Sequence, residues 1–325
     1  MCRVSVVVPT RNRSRLLAVT LRGVLRQTGV DLEVIVVDEA STDDTPALLA
    51  GLGDPRVRTV RHETPRGVST ARNRGAAEAR GDWVAFTDDD DLWASDKLAR
   101  QLQAAKAAGR DWSYTGSVNI GEGFGVVYGR PPPPPEEVVA ALPHYNAIPG
   151  GGSNVVGRRE ALLRAGPFDT RLRNTEDWEL WIRLAKAGPP AWVCSPLLAY
   201  RVHGSNSSLD IAEILRGARL IEELHHTTAD WGRLHRWLAE SCLRTGQRRA
   251  ALSQFTLGFL MQEQAERPLR SSDAVPLEPP SVPPTIAAAM RDGASSIGDG
   301  AFERGLDLII AGVAATRQQR VSERP

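Results

Sequence analysis

The sequence predicts an α/β fold in which a mostly parallel sheet is flanked by helices and is followed by an α-helical C-terminal extension. Over the first 93 residues, short β-branched runs alternate with segments that have apolar residues at helical spacing. The β-branched runs are almost continuously apolar, which is typical of parallel strands buried on both faces of a sheet. From residue 209 onward the pattern is mainly helical.

The first four predicted strands bring polar residues to one edge of the sheet. These strands are RVSVVV (3–8), EVIVVD (33–38), VRTV (57–60) and WVAFT (83–87). The helices between them are SRLLAVTLRGVLRQ (14–27), a helix that begins near Thr42 with Pro46 in its first turn, and STARNRGAAEA (69–79). Ligands of doubly wound sheets bind beyond the carboxyl ends of the strands. Pro9, Thr10, Asp38 and the four aspartates from Asp88 are expected at those ends.

The pattern is more varied after residue 93. The predicted elements are a helix at 95–108, strands at 113–120, 125–129 and 191–195, and helices at 158–165, 177–188, 211–226, 231–246 and 248–262. PPPPP (131–135) predicts a rigid extended spacer, and residues 136–152, which end in PGGG, predict a mobile flap. A proline-rich linker is expected at 267–284, before a last helix that contains FERGLDLIIAGVAA (302–315).

The composition limits the classes of partner. The chain has 325 residues, 24% of them charged, and a formal net charge of +1, so no nucleic-acid partner is expected. No run approaches the roughly 18 apolar residues of a membrane span. Three cysteines without metal-ligand spacing favour reduced thiols, and the amino-terminal apolar run lacks the pattern of a secretory leader. We expect a cytoplasmic protein without an integral span, free to associate peripherally with the inner face of the membrane, and no signal indicates its oligomeric state.

VAFTDDDDLW (84–93) carries four consecutive aspartates directly after a predicted buried strand. Like charges this close repel unless a cation lies among them. An acidic run is by itself more often a solvated loop, but this position is one where a parallel sheet presents ligands. An EF-hand loop is excluded, because Leu92, Trp93 and Ala99 stand where a ligand oxygen, a glycine and a glutamate are needed. The run therefore favours Mn²⁺ or Mg²⁺ shared with a diphosphate.

Residues upstream of the acidic run complete a nucleotide site of this kind. Asp38 could accept an N–H from a nucleobase, or it could cap the helix that follows. Arg72 lies in the helix before the acidic strand, where its guanidinium could reach a diphosphate or lie at the surface. Thr10, after Pro9, offers backbone or hydroxyl contacts at the end of the first strand.

NTEDWELWIRL (174–184) carries a second acidic pair, Glu176 and Asp177. Acidic residues often cap the start of a helix. Alternatively, one carboxylate acts as general base on an acceptor hydroxyl. Neighbouring tryptophans such as Trp178 could then flank a sugar, and they would reduce the hydration of the carboxylate.

A polar loop, YRVHGSNSS (200–208), carries Arg201 and His203. A lone histidine is usually structural or exposed, yet a neutral imidazole beside a carboxylate-held cation is a suitable additional ligand. His203 is therefore included among the candidate metal ligands.

Five motifs occur in the order in which one enzyme family carries them. They are VSVVVPTRNR, EVIVVDEAS, GVSTARNRGAAEARGDWVAFTDDDD, GPFD followed by EDWELWIRLAKAG, and YRVHGSNSS. They resemble the family 2 inverting glycosyltransferases with the GT-A fold, over residues 3–208. The resemblance implies a Rossmann-like GT-A domain at 1–208, with a nucleotide-binding half (1–93) and an acceptor-binding half (94–208), before a helical extension at 209–325.

The resemblance implies roles for the matching residues on the donor side. Asp38 contacts the base, Arg72 lies near the diphosphate, and Asp88 with Asp90 forms the DxD element for metal and nucleotide. Asp89 can share that role, because four adjacent aspartates leave the register open. The donor is then a UDP-sugar first, with thymidine and guanosine donors left open because Asp38-Glu39-Ala40-Ser41 lacks the usual glycine.

The resemblance also implies the chemistry. Asp177 is the implied base, with Glu176 as the lesser candidate, in a single displacement that moves one sugar to an acceptor hydroxyl while Mn²⁺ or Mg²⁺ stabilises the leaving group. Asp91 is expected to be structural. The full predicted set is Pro9, Thr10, Arg11, Asp38, Arg66, Arg72, Asp88 and Asp89 for the nucleotide; Asp88, Asp90 and His203 for the metal; Asp177 and Glu176 for catalysis; and Gly152, Ser153 and Trp178 for the sugar or acceptor.

Two other functions remain open at this point. One is a non-catalytic sugar- or nucleotide-binding module whose helical tail recruits a partner. The other is a nucleotidyltransferase on a similar scaffold, which would release pyrophosphate instead of a nucleoside diphosphate. The presence of both acidic elements favours the transferase of single sugars, with a glycan, a lipid-linked sugar or a small metabolite as acceptor.

Overall fold

The structure is a computed structural model that describes residues 3–121, 125–204, 206 and 209–265. These residues belong to one compact unit spanning Met1–Arg267. The linker predicted at 267–284, the last predicted helix and part of the 200–208 loop lie outside the described residues.

Strands and helices alternate through most of the chain up to residue 201, and helices follow from residue 211. The strands are β1 (Arg3–Thr10), β2 (Asp31–Asp38), β3 (Val57–Arg61), β4 (Trp83–Phe86), β5 (Leu92–Trp93), β6 (Trp112–Ile120), β7 (Val126–Arg130), β8 (Val156–Arg158) and β9 (Ala191–Arg201). The helices are α1 (Ser14–Leu25), α2 (Thr45–Gly51), α3 (Val68–Glu78), α4 (Lys97–Ala108), α5 (Pro135–Ala141), α6 (Arg159–Ala165), α7 (Glu176–Ala187), α8 (Ile211–His225), α9 (Trp231–Arg244) and α10 (Arg248–Ala265), with a 3₁₀ turn at Gly151–Ser153. Among the described helices, none is long and apolar enough to cross a membrane.

All of the strands join one sheet in the order β3-β2-β1-β4-β8-β6-β9-β5, with β7 paired to β6. The ladders that join β3, β2, β1 and β4 are parallel, as is the long ladder between β6 and β9. The short strand β8 pairs antiparallel with both β4 and β6, so it joins the two parallel parts. The α/β class and the mostly parallel sheet are thus confirmed.

The two faces of the sheet carry separate hydrophobic cores, because side chains alternate along each strand. Val4, Val6 and Val8 of β1 pack with apolar residues of α1 and α4. Val7 points to the opposite face and belongs to the core that includes Trp181 of α7. The polar ends of the strands are therefore fixed in register by apolar packing on both sides.

The structure corrects two sequence-based expectations in the second half of the chain. Residues 136–152 do not form a flap: they contain α5, and Val138, Leu142 and Ile148 are buried in the core that includes Val7. Pro135 begins this helix, where a proline fits the first turn, instead of ending an extended spacer. Strand β9 also extends to Arg201, so the start of the predicted polar loop is part of the sheet.

Close packing of α3 on β1 makes Gly75 a sensitive position. A Cβ at residue 75 would overlap Cγ1 of Val7, whereas a Cβ at Gly23 of α1 would meet no atom within 4 Å. We expect Gly75→Ala to lower the free energy of unfolding by about 1–3 kcal/mol through overpacking. The matched control Gly23→Ala should be neutral or stabilising by up to about 1 kcal/mol. Urea unfolding of both variants tests this, and equal stabilities would contradict the packing described here.

Candidate active site

The carboxyl ends of β1, β2 and β4 meet at one edge of the sheet, as the sequence predicts. Thr10 of β1 lies directly opposite Asp38 of β2 in the parallel ladder, and the acidic run follows β4. The Thr10 hydroxyl donates to Oδ2 of Asp89 at 2.6 Å, which ties the run to the first strand. Pro9 is also buried at this strand end.

The acidic run divides into two sets of carboxylates. Asp88, Asp90 and Asp91 each offer one oxygen, and these oxygens all lie within 4.8 Å of one another, which suits a divalent cation. Asp89 is not part of this cluster: it accepts from the Thr10 hydroxyl and from Nη1 of Arg13, which also contacts Asp90. Asp91 was expected to be structural, yet its carboxylate lies in the cluster and one of its oxygens has no hydrogen-bond partner among the described residues.

Three basic side chains surround the cluster. Arg13 contacts Oδ2 of Asp90 at 2.6 Å, and His203 Nε2 lies 2.9 Å from the same oxygen. The backbone N–H of Arg201 donates to Asp91 and its Nε donates to the carbonyl of Asp90, both at 3.0 Å. The structure therefore brings the predicted His203 to the acidic run and adds Arg13, which the sequence analysis missed.

Arg72 joins the acidic run to the second acidic pair. Its side chain is 3% exposed; Nη2 lies 2.5 Å from Oδ1 of Asp88, and Nη1 lies 2.6 Å from Oε1 of Glu176. Burial disfavours the charge, but Asp88 and Glu176 together raise the pKa of Arg72, so it stays protonated. Gly152 leaves room for it, because a Cβ there would lie 2.7 Å from Nη2. Contact of Arg72 with a diphosphate remains a prediction.

Glu176 and Asp177 begin α7 and are both buried. Burial raises the pKa of Glu176 to about 8, although Arg72 favours its charged form. Burial also raises the pKa of Asp177. Oδ1 of Asp177 accepts the backbone N–H of Trp178 at 2.7 Å, and Oδ2 accepts from Nδ2 of Asn146 at 3.3 Å. A carboxylate such as Asp177, with its pKa raised toward neutrality, is better suited to accept a proton near neutral pH than an ordinary aspartate.

The end of β2 is held by local contacts. Asp38 accepts the backbone N–H of Ser41 at 2.9 Å and pairs with the guanidinium of Arg61. It does not cap the next helix, because α2 begins at Thr45 and its N-cap is Asp44. The Glu39 carboxylate accepts the backbone N–H of Arg66 at 2.5 Å and contacts the His62 ring. A carboxylate oxygen can accept further bonds, so a contact from Asp38 to a nucleobase stays a prediction.

The structure corrects the predicted sugar-binding set. Trp178 is 3% exposed in the core, and its indole N–H donates to the carbonyl of Leu142 at 2.7 Å, so neither ring face is open to a sugar. Ser153 is fully buried beneath the acidic run, where its hydroxyl accepts the backbone N–H of Asp88 at 2.9 Å. Gly152 packs against Arg72 as described. All three residues support the site from within the protein.

Two predicted nucleotide-binding side chains lie at the surface. Arg11 and Arg66 are exposed. Asn12 adopts a positive φ of 54°, and the chain turns there so that Arg13 is the residue that reaches the aspartates. No sequence signal separates Arg13 from Arg11, because both lie in the same polar turn.

Known proteins are similar to this chain over most of its described length. The model of Glycosyl transferase family 2 matches residues 5–164. TuaG of Bacillus subtilis, a glycosyltransferase assigned to teichuronic acid biosynthesis, is 30% identical over 239 residues, which cover 70% of this chain and 92% of TuaG. WfaP of Escherichia coli, a UDP-Glc:α-D-GlcNAc-diphosphoundecaprenol β-1,3-glucosyltransferase, is 27% identical over 231 residues, which cover 69% of this chain and 88% of WfaP.

Solved structures share the fold. Mannosyltransferase PcManGT from Pyrobaculum calidifontis, in complex with GDP-Man and Mn²⁺, has a TM-score of 0.55 at 20% identity, covering 90% of this chain and 79% of PcManGT. This likeness confirms the predicted GT-A fold. Some relatives are longer, and this chain spans 30% of the length of two of the curated relatives that it matches.

Burial of Glu176 predicts a pH dependence of stability. The folded protein holds the Glu176 proton up to about pH 8, whereas the unfolded chain releases it near the ordinary value of 4.5. The resulting stabilisation is complete below the unfolded pKa and is lost as the pH rises through the folded one. In metal-free buffer, the wild type should lose stability relative to Glu176→Gln between about pH 5 and pH 8.

Urea unfolding of both proteins across this range tests the expectation. The expected result is a difference in free energy of unfolding that falls steadily with rising pH. A difference that stays constant would mean that Glu176 is ionised throughout, with Arg72 as its counter-charge.

Proposed function

Because the chain belongs to glycosyl transferase family 2 and is a glycosyltransferase, we propose that it moves one sugar from a nucleoside diphosphate sugar to an acceptor hydroxyl with inversion at the anomeric carbon. The observation that carries the proposal is the Arg72 bridge. Arg72 pairs with Asp88 of the acidic run and with Glu176, which precedes the buried Asp177 in the first turn of α7. In the proposal, this contact holds the donor site and the base at one edge of the sheet.

In the proposed reaction, Asp177 takes the proton of the acceptor hydroxyl. The acceptor oxygen forms a bond to the anomeric carbon as the bond from that carbon to the diphosphate oxygen breaks. The electron pair leaves with the nucleoside diphosphate. The raised pKa of Asp177 supports this role, because a base is most effective when its pKa lies closer to the working pH. Glu176 is the weaker candidate, since its carboxylate is paired with Arg72.

The acidic run fits a divalent cation. Asp88, Asp90 and Asp91 supply clustered hard oxygen atoms, and His203 lies beside Asp90. We propose that Asp88 and Asp90 hold Mn²⁺ or Mg²⁺, with His203 and Asp91 as further ligands or supports. A bound ion would supply positive charge to stabilise the departing diphosphate. The buried Oδ2 of Asp91, which has no hydrogen-bond partner among the described residues, would suit a cation.

The comparisons support proposals for the donor and the acceptor. The name of WfaP specifies UDP-Glc and a diphosphoundecaprenol acceptor, and PcManGT was solved with GDP-Man and Mn²⁺. We propose a UDP-sugar as the first donor to test, then guanosine and thymidine donors. A lipid-linked sugar is the first acceptor to test, which would place the protein in the cytoplasm, in peripheral contact with the inner face of the membrane.

The base assignment predicts the effect of Asp177→Asn. The variant keeps the shape of the side chain but cannot accept a proton, so turnover should fall by about 10²–10⁴-fold while the donor affinity stays within about twofold. Nucleoside diphosphate release measures turnover, and calorimetry measures donor binding. The control Asp82→Asn, at an exposed aspartate before β4, should retain wild-type turnover. Full activity of Asp177→Asn would show that another residue is the general base.

The metal assignment predicts coupled binding of ion and nucleotide. UDP with Mn²⁺ should raise the melting temperature of the wild type, and a chelator should remove most of that rise. Asp90→Asn should abolish the Mn²⁺-dependent part, because it removes a charged ligand. The control Asp96→Asn, half exposed at the start of α4, should behave as wild type. Equal nucleotide binding with Mn²⁺ and with chelator would contradict a metal-bridged donor.

A further inference from the structure

The loop at 142–148 supplies a side-chain contact to the proposed base. Nδ2 of Asn146 donates to Oδ2 of Asp177 at 3.3 Å. Oδ1 of Asn146 accepts the backbone N–H of Ile148 at 3.3 Å, which orients the amide with its NH₂ group toward the carboxylate. The sequence indicates no role for Asn146, which lies in the segment predicted to be a flap.

The carboxylate of Asp177 is thus fixed from two sides. Its Oδ1 accepts the backbone N–H of Trp178 at 2.7 Å, which belongs to the first turn of α7. Its Oδ2 faces Asn146 and also Gly151, where a Cβ would lie 2.9 Å away. A side chain other than hydrogen at 151 would crowd the base, so this glycine leaves the carboxylate room.

We propose that Asn146 is a positioning residue for Asp177, and that the helical extension braces the loop that carries Asn146. The inference rests on the proposed function, in which Asp177 is the base. It assigns a purpose to the start of the extension, which lies outside the motifs that carry the family resemblance.

The connection between α8 and α9 holds the loop through hydrogen bonds. The Thr227 hydroxyl donates to the carbonyl of Pro143 at 2.8 Å. The backbone N–H of Asp230 donates to the carbonyl of His144 at 2.8 Å. Nδ1 of His144 lies 2.7 Å from the carbonyl oxygen of Thr228. Two consecutive loop residues are therefore bonded to one short segment of the extension.

Side-chain packing fixes the same loop. The guanidinium of Arg233, in α9, lies 4.1 Å from the centre of the Tyr145 ring, next to Asn146 in the chain. The indole of Trp178 bonds the carbonyl of Leu142 at the other end of the loop. The loop is therefore clamped between α7, which carries the base, and the extension. Loss of the contacts from α7 or from the extension would let Asn146 move away from Asp177.

The charges around Asp177 determine what the loss of Asn146 does. Burial opposes the ionised carboxylate of Asp177, Arg72 of α3 favours it, and Asp88 of the acidic run opposes it. The Asn146 donor stabilises the ionised form as well. Removing the Asn146 amide should raise the pKa of Asp177 and misorient its carboxylate. The site of the nucleotide sugar should be unaffected.

The first test compares Asn146→Ala with Asn146→Asp. Alanine removes the donor, and aspartate keeps the size while placing a repelling carboxylate beside the base. The acid limb of the kcat/KM profile should move up by about half a pH unit in Asn146→Ala and further in Asn146→Asp. The value of kcat at neutral pH should fall about tenfold, and donor affinity should stay within about twofold. Unchanged pH profiles would overturn the proposal.

The second test does not depend on turnover. Carbon-13 NMR of the Asp177 carboxyl, assigned with Asp177→Asn, reports its pKa in the wild type and in Asn146→Ala. A higher pKa in the variant supports the contact, and identical titrations overturn it. If the wild type transferred no sugar from any donor, the proposed function would fail, while this titration would still decide whether Asn146 acts on Asp177.

The third test addresses the extension with a matched pair. Thr227→Val removes the hydroxyl that bonds the loop, and Thr256→Val removes a hydroxyl of α10 that bonds the carbonyl of Leu252 at 3.0 Å. Thr227→Val should lower kcat several-fold and move the acid limb in the same direction as Asn146→Ala. Thr256→Val should keep the wild-type kcat and pH profile. Identical kinetics of the two variants would show that the extension does not brace the base.

Discussion

The paired contact of Arg72 with Asp88 and Glu176 is the interaction on which the rest of the site depends. The chain collects carboxylates from two distant segments at one buried edge of the sheet, and their mutual repulsion in a medium of low polarity would otherwise disperse them. The Arg72 guanidinium donates a charge-assisted hydrogen bond to one carboxylate from each segment, Glu176 and Asp88. Removing one partner of such a buried network is costly, since it leaves the others uncompensated. The same contact joins the acidic run to the first turn of α7, which carries the proposed base.

This arrangement links folding to function. The α3 helix, which carries Arg72, packs so closely on β1 that Gly75 has no space for a side chain. This packing fixes the distance of Arg72 from the sheet. The 3₁₀ turn at Gly151–Ser153 lies against the Arg72 guanidinium through Gly152 and against the acidic run through Ser153. The scaffold therefore holds the proposed donor and acceptor sides as one unit, in which the helical extension takes part through the loop.

The periodicity of the sequence predicts the main strands, and the strand ends predict the edge of the sheet that carries the site. Long apolar runs identified β1, β2 and β4, and hence the edge where Thr10, Asp38 and the aspartates meet. It could not predict β5 or β8, because two or three residues show no period. It also could not choose among four identical aspartates, since only the turn after β4 decides which carboxylates face one another.

Other misses have similar physical reasons. Arg13 and Arg11 are equivalent in the sequence, and the backbone turn at Asn12 distinguishes them. Trp178 follows Asp177, the proposed base, in the chain, but the period of α7 directs its side chain into the core. The Glu176–Asp177 pair could be predicted because it belongs to a recognisable motif, GPFD followed by EDWELWIRLAKAG. Asn146 belongs to no such motif and contacts Asp177 only in the folded protein.

Anomalous diffraction at the manganese edge, from crystals grown with Mn²⁺ and UDP, is the sharpest test of a metal-bound diphosphate at the acidic run. We expect one strong peak at the carboxylate oxygens of Asp88 and Asp90, beside the bound diphosphate, with Arg72 still paired to Glu176. A diphosphate bound without manganese at the acidic run, or manganese bound elsewhere, would contradict it.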